Sequence, residues 1–321
     1  MLQKPNCPII TLEEHYWDEE LSGHFSGLDS GGPPETRKKL LDVGEIRLKE
    51  MDEAGIDIQV LSHSAPSLQK LDADVAVPLA RRVNDRLAAT VAKHPTRFAA
   101  FAALPSADPA AAADELARTV QELGFKGAMI HGLAQGQFVD DPRFWPIFSR
   151  AEALDVPIYL HPAVPHPAVI DAYYKDYAKD FPILLRAAWG YTLEAATQAV
   201  RLVLSGVFDA HPKLKIILGH LGEGLPFLLW RIDSALSRPG QKPVHFRDVF
   251  SRNFYITTSG FFSDPALLCC VQELGVDRIL FSVDYPFEAI APGPRWLARI
   301  PLCDEDKAKI ASGNAKRLLR L

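Results

Sequence analysis

Four side chains of the kinds that bind divalent metals end short apolar runs that lie far apart in the sequence. They are Glu13 and His15 near the start, His161 in the middle and Asp284 near the end. Each run is typical of a β-strand, and residues two apart on a strand face the same side. Glu13 and His15 can therefore point the same way while Glu14 points away. Two carboxylates and two imidazoles that met at one point would bind one divalent ion and leave positions open for a substrate.

Each of these residues also has an interpretation without a metal. Glu13 could end a strand in solvent, and His15 could be an ordinary surface or core histidine. His161 could pack with its ring bonded to a backbone carbonyl, and Asp284 could cap a helix. Taken singly, these alternatives do not explain why all four residues end strands. One metal is favoured over two, because Lys126 precedes the fourth strand and would lie at the wrong end for a bridging group.

A second group of residues follows the sixth predicted strand. His220 ends this strand, and Glu223 could reach its ring, which would fix the tautomer and raise the basicity of the imidazole. Arg231 lies eight residues after Glu223, about two helical turns on, so we expect both near one helix face. A guanidinium suits a substrate carboxylate. The alternatives are packing for His220, a helix-dipole interaction for Glu223 and a salt bridge for Arg231.

Further side chains could form the wall of such a site. Phe25 lies in a long polar loop after the first strand and could contact an aromatic ligand. His63 and His131 end the second and fourth predicted strands. For both histidines a place in the pocket wall is favoured over a catalytic role.

The elements that would position these residues alternate along all 321 residues. Eight predicted strands and eight helices indicate an α/β fold, a single (β/α)8 TIM barrel with residues 1–321 as one domain. Long loops follow strands 1 and 5, at residues 16–35 and 162–188, and loops of this length are expected to be functional. An open doubly wound sheet is the alternative, but no glycine-rich nucleotide-binding motif follows a strand. In a barrel the carboxyl ends of all strands share one rim. This rim would bring together the four potential metal ligands, called here the metal-type residues: Glu13, His15, His161 and Asp284.

The composition is that of an ordinary globular protein, with 48% apolar and 23% charged residues and a formal net charge of −5. No block of lysine and arginine occurs, so we expect no nucleic-acid or membrane-surface partner. No apolar run is long enough to cross a membrane. The four cysteines show no zinc-type spacing, and we expect free thiols and a cytoplasmic location.

The motifs around these residues resemble those of the amidohydrolase superfamily. They are Glu-x-His at strand one, Leu-His-Pro at strand five, Gly-His-x-Gly-Glu-x-Leu-Pro at strand six and Asp-Tyr-Pro at strand eight. Within the superfamily the chain is similar to the ACMSD-like decarboxylase branch, and in particular to γ-resorcylate, 2,3-dihydroxybenzoate and 5-carboxyvanillate decarboxylases. The resemblance covers nearly the whole chain.

This resemblance implies a metal-dependent, non-oxidative decarboxylase that acts on a small hydroxybenzoate-type acid and assembles as a homodimer or homotetramer. The implied ligands of one Mn²⁺ or Zn²⁺ ion are Glu13, His15, His161 and Asp284. The implied catalytic residues are Asp284, His220 and Glu223. The residues expected to contact the substrate are Arg231, which would hold its carboxylate, Phe25 and His63. Asp284 would deliver a proton to the ring carbon.

Two other functions remain open at this point. The first is a hydrolase or hydratase on the same barrel, such as a lactonase that acts on a ring-cleavage product. The second is an inactive barrel that serves as a binding or structural subunit. The glutamate in the first strand favours the decarboxylase by resemblance, and the complete set of metal-type residues argues against an inactive barrel.

Overall fold

The computed structural model describes residues 4–30, 32–240 and 242–321. These residues contain nine strand segments: β1 (Ile10–Tyr16), β2 (Ile58–His63), β3 (Phe98–Ala100), β4 (Ala102–Ala103), β5 (Ala128–His131), β6 (Ile158–His161), β7 (Ile216–Leu218), β8 (Phe254–Thr257) and β9 (Ile279–Leu280). The strands form one sheet in the order β1-β2-β3 and a second in the order β4-β5-β6-β7-β8-β9. Neighbouring strands are parallel in both sheets.

The two sheets are connected at both ends. Phe101 alone separates β3 from β4, so one interrupted strand pairs with β2 through its first half and with β5 through its second. At the other end, Glu14 of β1 forms a parallel bridge with Tyr285, which follows β9. With β3 and β4 counted as one strand, the predicted eight-stranded α/β barrel is confirmed.

Seventeen α-helical segments accompany these strands in the described residues. They are α1 (Glu19–Ser22), α2 (Pro34–Leu41), α3 (Glu45–Ala54), α4 (Ala73–Lys93), α5 (Pro109–Gln121), α6 (Trp145–Leu154), α7 (Pro167–Val169), α8 (Lys175–Ala178), α9 (Gly190–Ser205), α10 (Val207–Ala210), α11 (His220–Glu223), α12 (Leu225–Leu236), α13 (Phe246–Asn253), α14 (Asp264–Leu274), α15 (Pro292–Arg299), α16 (Asp304–Ala308) and α17 (Asn314–Leu319). The prediction of eight helices is therefore too low. None of the helices in the described part of the chain is both long and apolar enough to cross a membrane.

The sequence predicts one helix over residues 36–54, and this prediction is wrong. The chain forms α2 and α3 with a short break between them. In the break, Asp42 Oδ1 accepts hydrogen bonds from the backbone N–H groups of Gly44 and Arg47, each at 3.1 Å. A side chain that satisfies these N–H groups starts a new helix. The predicted end at Gly55 is confirmed, with a left-handed φ of 75°.

The barrel interior is filled below the rim. An apolar cluster that includes Val60, Met129, Ile217 and Leu280 takes one residue from each of several strands. Its members alternate along the strands with residues of a larger cluster that packs the strands against the helices. Residues of α17 join the inner cluster. The inside of the barrel is thus packed core, and polar side chains can converge only where the strands end.

Candidate metal centre and active site

The four residues predicted to bind a metal lie together at the carboxyl ends of β1, β6 and β9. One potential ligand atom from each of Glu13, His15, His161 and Asp284 lies within 4.8 Å of the other three. His161 Nε2 is 3.1 Å from Glu13 Oε1, and His15 Nε2 is 3.2 Å from Asp284 Oδ1. Glu13 and His15 are completely buried, and Asp284 is partly exposed. The predicted convergence is therefore present in the fold.

Backbone hydrogen bonds bring the two ends of the chain together at this point. The N–H of Asp284 donates to the Glu13 carbonyl at 3.1 Å, and the N–H of His15 donates to the Tyr285 carbonyl at 2.7 Å. Asp284 has a φ of 70°, a conformation that is uncommon outside glycine and that clusters at functional sites. The hydrogen bonds that join β1 to the segment after β9 thus place Asp284 beside His15.

Both histidines in the cluster are oriented through Nδ1. His161 Nδ1 lies 2.6 Å from the Pro162 carbonyl oxygen, and His15 Nδ1 lies 3.4 Å from Ser62 Oγ. An Nδ1–H that donates to a carbonyl leaves Nε2 with its lone pair, which is the form that binds a metal. His161 can therefore donate from Nδ1 to the Pro162 carbonyl and bind a metal through Nε2 at the same time.

Glu13 is held through one carboxylate oxygen. Its Oε2 accepts hydrogen bonds from the hydroxyls of Tyr159 and Ser259. A Cβ atom at Gly219 would lie 2.9 Å from the same oxygen, so a larger residue there would displace the carboxylate. The sequence did not point to Tyr159 or Ser259. Tyr159 precedes His161 by two residues on one strand, and this spacing could have identified it.

Other atoms of the cluster are left available for a cation. Glu13 Oε1, His15 Nε2 and Asp284 Oδ1 are buried and have no hydrogen-bond partner among the described residues. Buried polar atoms without partners destabilise a protein, and a bound cation would satisfy all three. Two carboxylates and two imidazoles are a donor set that suits one divalent ion. Lys126, whose position argued against a second metal, donates instead to the Arg320 carbonyl at 3.3 Å.

Opposite charges in the cluster stabilise one another. Burial alone would raise the pKa of Glu13, but His220, His15 and His161 outweigh burial and hold that pKa well below its usual range. Burial would lower the pKa of His15, yet the neighbouring carboxylates of Asp284 and Glu13 raise it to about 9. Glu13 is thus a carboxylate, as a metal ligand must be.

The predicted pairing of His220 with Glu223 is present. His220 Nδ1 lies 2.7 Å from Glu223 Oε1, and its Nε2 lies 3.6 Å from Glu13 Oε1. Burial would lower the pKa of His220, but the carboxylates of Glu223 and Glu13 outweigh it and raise the pKa well above its usual range. Glu223 therefore favours the protonated form of His220 and orients its ring towards the cluster.

The turn that carries this pair is left-handed. His220, Leu221 and Glu223 have φ values of 49°, 54° and 53°. Three such residues in one short segment are costly, and strain of this kind is found where function demands a particular geometry. Glu223 belongs to this turn and not to the first turn of the following long helix, so the helix-dipole alternative does not describe it.

The prediction that Arg231 shares a helix face with Glu223 is wrong. Glu223 belongs to α11 and Arg231 to α12, and Gly224 breaks the helix between them with a φ of 75°. A count of helical turns across this break has no meaning. Arg231 is exposed and lies outside the cavity that His161, His220 and Asp284 line.

A cavity of about 320 Å³ opens onto the metal-type cluster, with His161, His220 and Asp284 in its wall. The two long loops, the segments after β2 and β9, and the starts of α2 and α9 supply the rest of the wall. These wall residues include Leu28, Pro33, Ile183, Arg186, Tyr191 and Phe287. A partly apolar cavity of this size with a few convergent polar groups is typical of a small-molecule site. The expectation that both loops are functional is consistent with this placement.

Three residues predicted for the pocket wall lie outside it. Phe25 packs against a separate apolar cluster beside α4. His63 is buried with its Nδ1 2.8 Å from the Ser64 carbonyl, and burial lowers its pKa to about 4. His131 lies behind His161, with their Nδ1 atoms 3.0 Å apart. Ser64 lines the cavity in place of His63.

Comparison with known proteins accords with this geometry. The amidohydrolase family model matches residues 13–321. The chain belongs to the amidohydrolase family. The match spans every strand after the start of β1 and includes all four metal-type residues of this amidohydrolase.

Several relatives of this amidohydrolase are decarboxylases of aromatic acids. The γ-resorcylate decarboxylase of Rhizobium sp. (strain MTP-10005) is 43% identical over 325 residues, which cover 97% of this chain and 98% of that protein. The structure of a dihydroxybenzoic acid decarboxylase from Polaromonas sp. JS666, with manganese and the inhibitor 2-nitroresorcinol bound, is 42% identical with a TM-score of 0.89. The alignment covers 98% of this chain and 97% of the Polaromonas chain. The structure of 5-carboxyvanillate decarboxylase from Sphingomonas paucimobilis is 36% identical with a TM-score of 0.91, over 98% and 100% of the two chains. The resemblance drawn from the motifs is confirmed.

Proposed function

We propose that this protein is a metal-dependent, non-oxidative decarboxylase of a hydroxybenzoate-type aromatic acid. The observation that carries the proposal is the convergence of Glu13, His15, His161 and Asp284 at the wall of a small cavity. The identity of 43% to a γ-resorcylate decarboxylase over nearly the whole chain supports the reaction type. The cofactor is one divalent ion, Mn²⁺ or Zn²⁺, held by these four residues. The manganese in the Polaromonas structure supports Mn²⁺.

The chemistry requires that the ring be protonated before CO₂ leaves. Direct loss of CO₂ would leave an electron pair in the ring plane of an aryl anion, which is very unfavourable. A proton added to the carbon that bears the carboxylate turns the ring into an electron sink, with electron density supplied by an ionised ortho hydroxyl. The C–C bond then breaks, and its electron pair restores the aromatic ring. The divalent ion, when bound, supplies a Lewis acid that orients the substrate and favours the ionised hydroxyl.

Asp284 is the residue best placed to deliver the proton. Its side chain is partly exposed in the cavity wall, whereas Glu13 is completely buried. His220 stands in the same wall, and Glu223 fixes its ring through Nδ1. We assign to His220 the stabilisation of negative charge on the substrate and assistance in proton transfer, and to Glu223 the positioning of its ring.

A panel of aromatic acids tests the proposed function. The protein is loaded with Mn²⁺ or Zn²⁺, and CO₂ and the phenol product are measured for 2,6-dihydroxybenzoate, 2,3-dihydroxybenzoate, 5-carboxyvanillate and salicylate. We expect turnover of at least one acid with an ortho hydroxyl and none of 3,5-dihydroxybenzoate, which lacks one. Hydrolysis of a lactone or an amide, with no CO₂ from any aromatic acid, would favour the hydrolase alternative instead.

We also propose that the protein is a cytoplasmic homodimer or homotetramer. Large aromatic side chains are strongly exposed, with fractions of 73% for Tyr173, 82% for Phe227 and 71% for Trp230. Phe227 and Trp230 lie three residues apart on α12 and so share one helix face, and monomers seldom leave an apolar patch of this kind in contact with water. The four cysteines are free thiols, which fits a reducing compartment. Light scattering is expected to give a multiple of the 35.5 kDa chain mass, and a monomer at micromolar concentration would contradict the assembly.

A further inference from the structure

A guanidinium that the sequence did not single out lies in the wall of the active-site cavity. It belongs to Arg186, which follows the 3-10 helix Pro182–Leu185 in the loop after β6. The Arg186 N–H donates to the Ile183 carbonyl at 3.0 Å, and its own carbonyl accepts from the N–H groups of Trp189 and Tyr191, both at 3.1 Å. The side chain therefore extends from a well-fixed backbone.

The side chain of Arg186 has an unused donor. Its Nε is buried and has no hydrogen-bond partner among the described residues. Three acids share this wall, Asp29, Asp284 and Glu288, and none of them forms an ion pair with Arg186 among the described residues. Asp29 pairs instead with Lys70 at 2.5 Å, and Asp284 lies 3.2 Å from His15. A buried N–H of a cation without an acceptor is costly, and an acceptor that enters the cavity would remove that cost.

The charge of this guanidinium also reaches a neighbouring wall residue. Burial raises the pKa of Tyr191 to about 12, and Arg186 opposes this rise by stabilising the tyrosinate. The two negative charges of Glu13 and Asp284 match one divalent ion, and neither residue pairs with Arg186. A hydroxybenzoate would bring a carboxylate and an ionisable hydroxyl to this wall. The cavity is therefore suited to an anionic ligand on the side of Arg186.

We propose that Arg186 binds the carboxylate of the substrate and makes the site selective for aromatic acids over the corresponding phenols. The inference rests on the proposed function and assigns to Arg186 the contact predicted from the sequence for Arg231. A guanidinium fork binds a carboxylate through paired, charge-assisted hydrogen bonds. As the carboxylate becomes neutral CO₂, this interaction weakens. It therefore stabilises the bound substrate more than the transition state, and the phenol product leaves without it.

The test compares Arg186→Met and Arg186→Lys with the wild-type protein, and Arg81→Met, an exposed arginine of α4 outside the cavity, is the control. Calorimetry on the Mn²⁺-loaded protein gives Kd for 3,5-dihydroxybenzoate and for resorcinol. These two ligands differ only by the carboxylate, and neither has the ortho hydroxyl and carboxylate that turnover requires. Steady-state kinetics give KM and kcat for the best acid of the panel.

For Arg186→Met we expect Kd for 3,5-dihydroxybenzoate and KM for the substrate to rise about 10- to 100-fold, as for loss of a charge-assisted hydrogen-bond pair. Kd for resorcinol is expected to stay within about twofold and kcat within about threefold of wild type. The Kd and KM values of Arg186→Lys should fall between those of wild type and those of Arg186→Met, because lysine keeps the charge and loses the fork. Arg81→Met should match wild type in every measurement.

Equal weakening of the acid and of resorcinol would overturn the proposal, because Arg186 would then shape the cavity without recognising the carboxylate. An unchanged Kd for the acid would overturn it as well. If Arg186→Met does not fold or does not bind Mn²⁺ like wild type, Arg186→Lys is compared with wild type instead. The Kd values for 3,5-dihydroxybenzoate and resorcinol then decide the question. If no aromatic acid is turned over by the wild-type protein, the proposed function fails, while the two Kd values still test Arg186.

Discussion

Asp284→Asn is expected to abolish decarboxylation, with kcat reduced about 1,000-fold or more, as for loss of a well-placed general acid. Asparagine keeps the shape and the Oδ1 atom of aspartate but has no acidic proton to deliver to the ring carbon. The measurement is single-turnover formation of the phenol by the Mn²⁺-loaded variant. Exchange of the product's ring proton with deuterated solvent should disappear in parallel, because the same residue delivers and removes that proton.

Asp284 is also a predicted metal ligand, so the Mn²⁺ content of the variant must be measured in the same experiment. The expected loss of kcat is judged only in protein that carries manganese. The matched control is Asp277→Asn, an exposed aspartate before β9 that pairs with Lys309 at 3.7 Å on the surface. Its kcat should remain within about twofold of wild type. Turnover retained in manganese-loaded Asp284→Asn would remove Asp284 from the role of proton donor.

Removal of the divalent ion with a chelator is expected to abolish activity completely, and one equivalent of Mn²⁺ should restore it. Glu13→Gln is expected to lower Mn²⁺ affinity about 100-fold or more, because it removes one of the two anionic ligands. The measurement is a calorimetric or paramagnetic-resonance titration of chelated protein with Mn²⁺.

The control for this titration is Glu53→Gln, an exposed glutamate of α3 that lies away from the cavity. Its Mn²⁺ affinity should equal that of wild type. Full activity after chelation, with metal analysis showing less than one ion per ten chains or so, would contradict a metal-dependent reaction. Unchanged affinity in Glu13→Gln would mean that the ion binds elsewhere.

The sequence was sufficient to predict the metal-type cluster because its geometry follows from simple periodicity. Glu13 and His15 are two apart on a strand and therefore face the same side, and the barrel brings strand ends together whatever their separation in sequence. His220 and Glu223 were predicted on the same basis of local spacing. The relation between Glu13 and His15 survives because buried parallel strands leave little freedom to the backbone.

The turn that carries His220 could not be predicted in its true conformation. Leu221 and Glu223 adopt positive φ values that side chains normally avoid, and only the neighbouring Gly222 and Gly224 hint at them. The surrounding fold imposes this strain. The error moved Arg231 onto the wrong helix face, because the count of turns assumed one continuous helix.

Phe25 was placed wrongly in the cavity and Arg186 was missed, both for a different reason. Phe25 and Arg186 both lie in long segments without a repeating pattern, so no period indicates which side chain enters the cavity. Phe25 is drawn into a separate apolar cluster, whereas Arg186 is turned inward by backbone hydrogen bonds at the start of α9. Tertiary packing decides both positions.

The most direct test of the metal site is an anomalous diffraction measurement on crystals of the Mn²⁺-loaded protein, with data collected on both sides of the manganese absorption edge. A single manganese peak per chain is expected, in contact with Glu13, His15, His161 and Asp284 and facing the cavity. A peak bound by other residues, or a second peak of equal strength in the same cavity, would contradict a site built from these four residues around one ion.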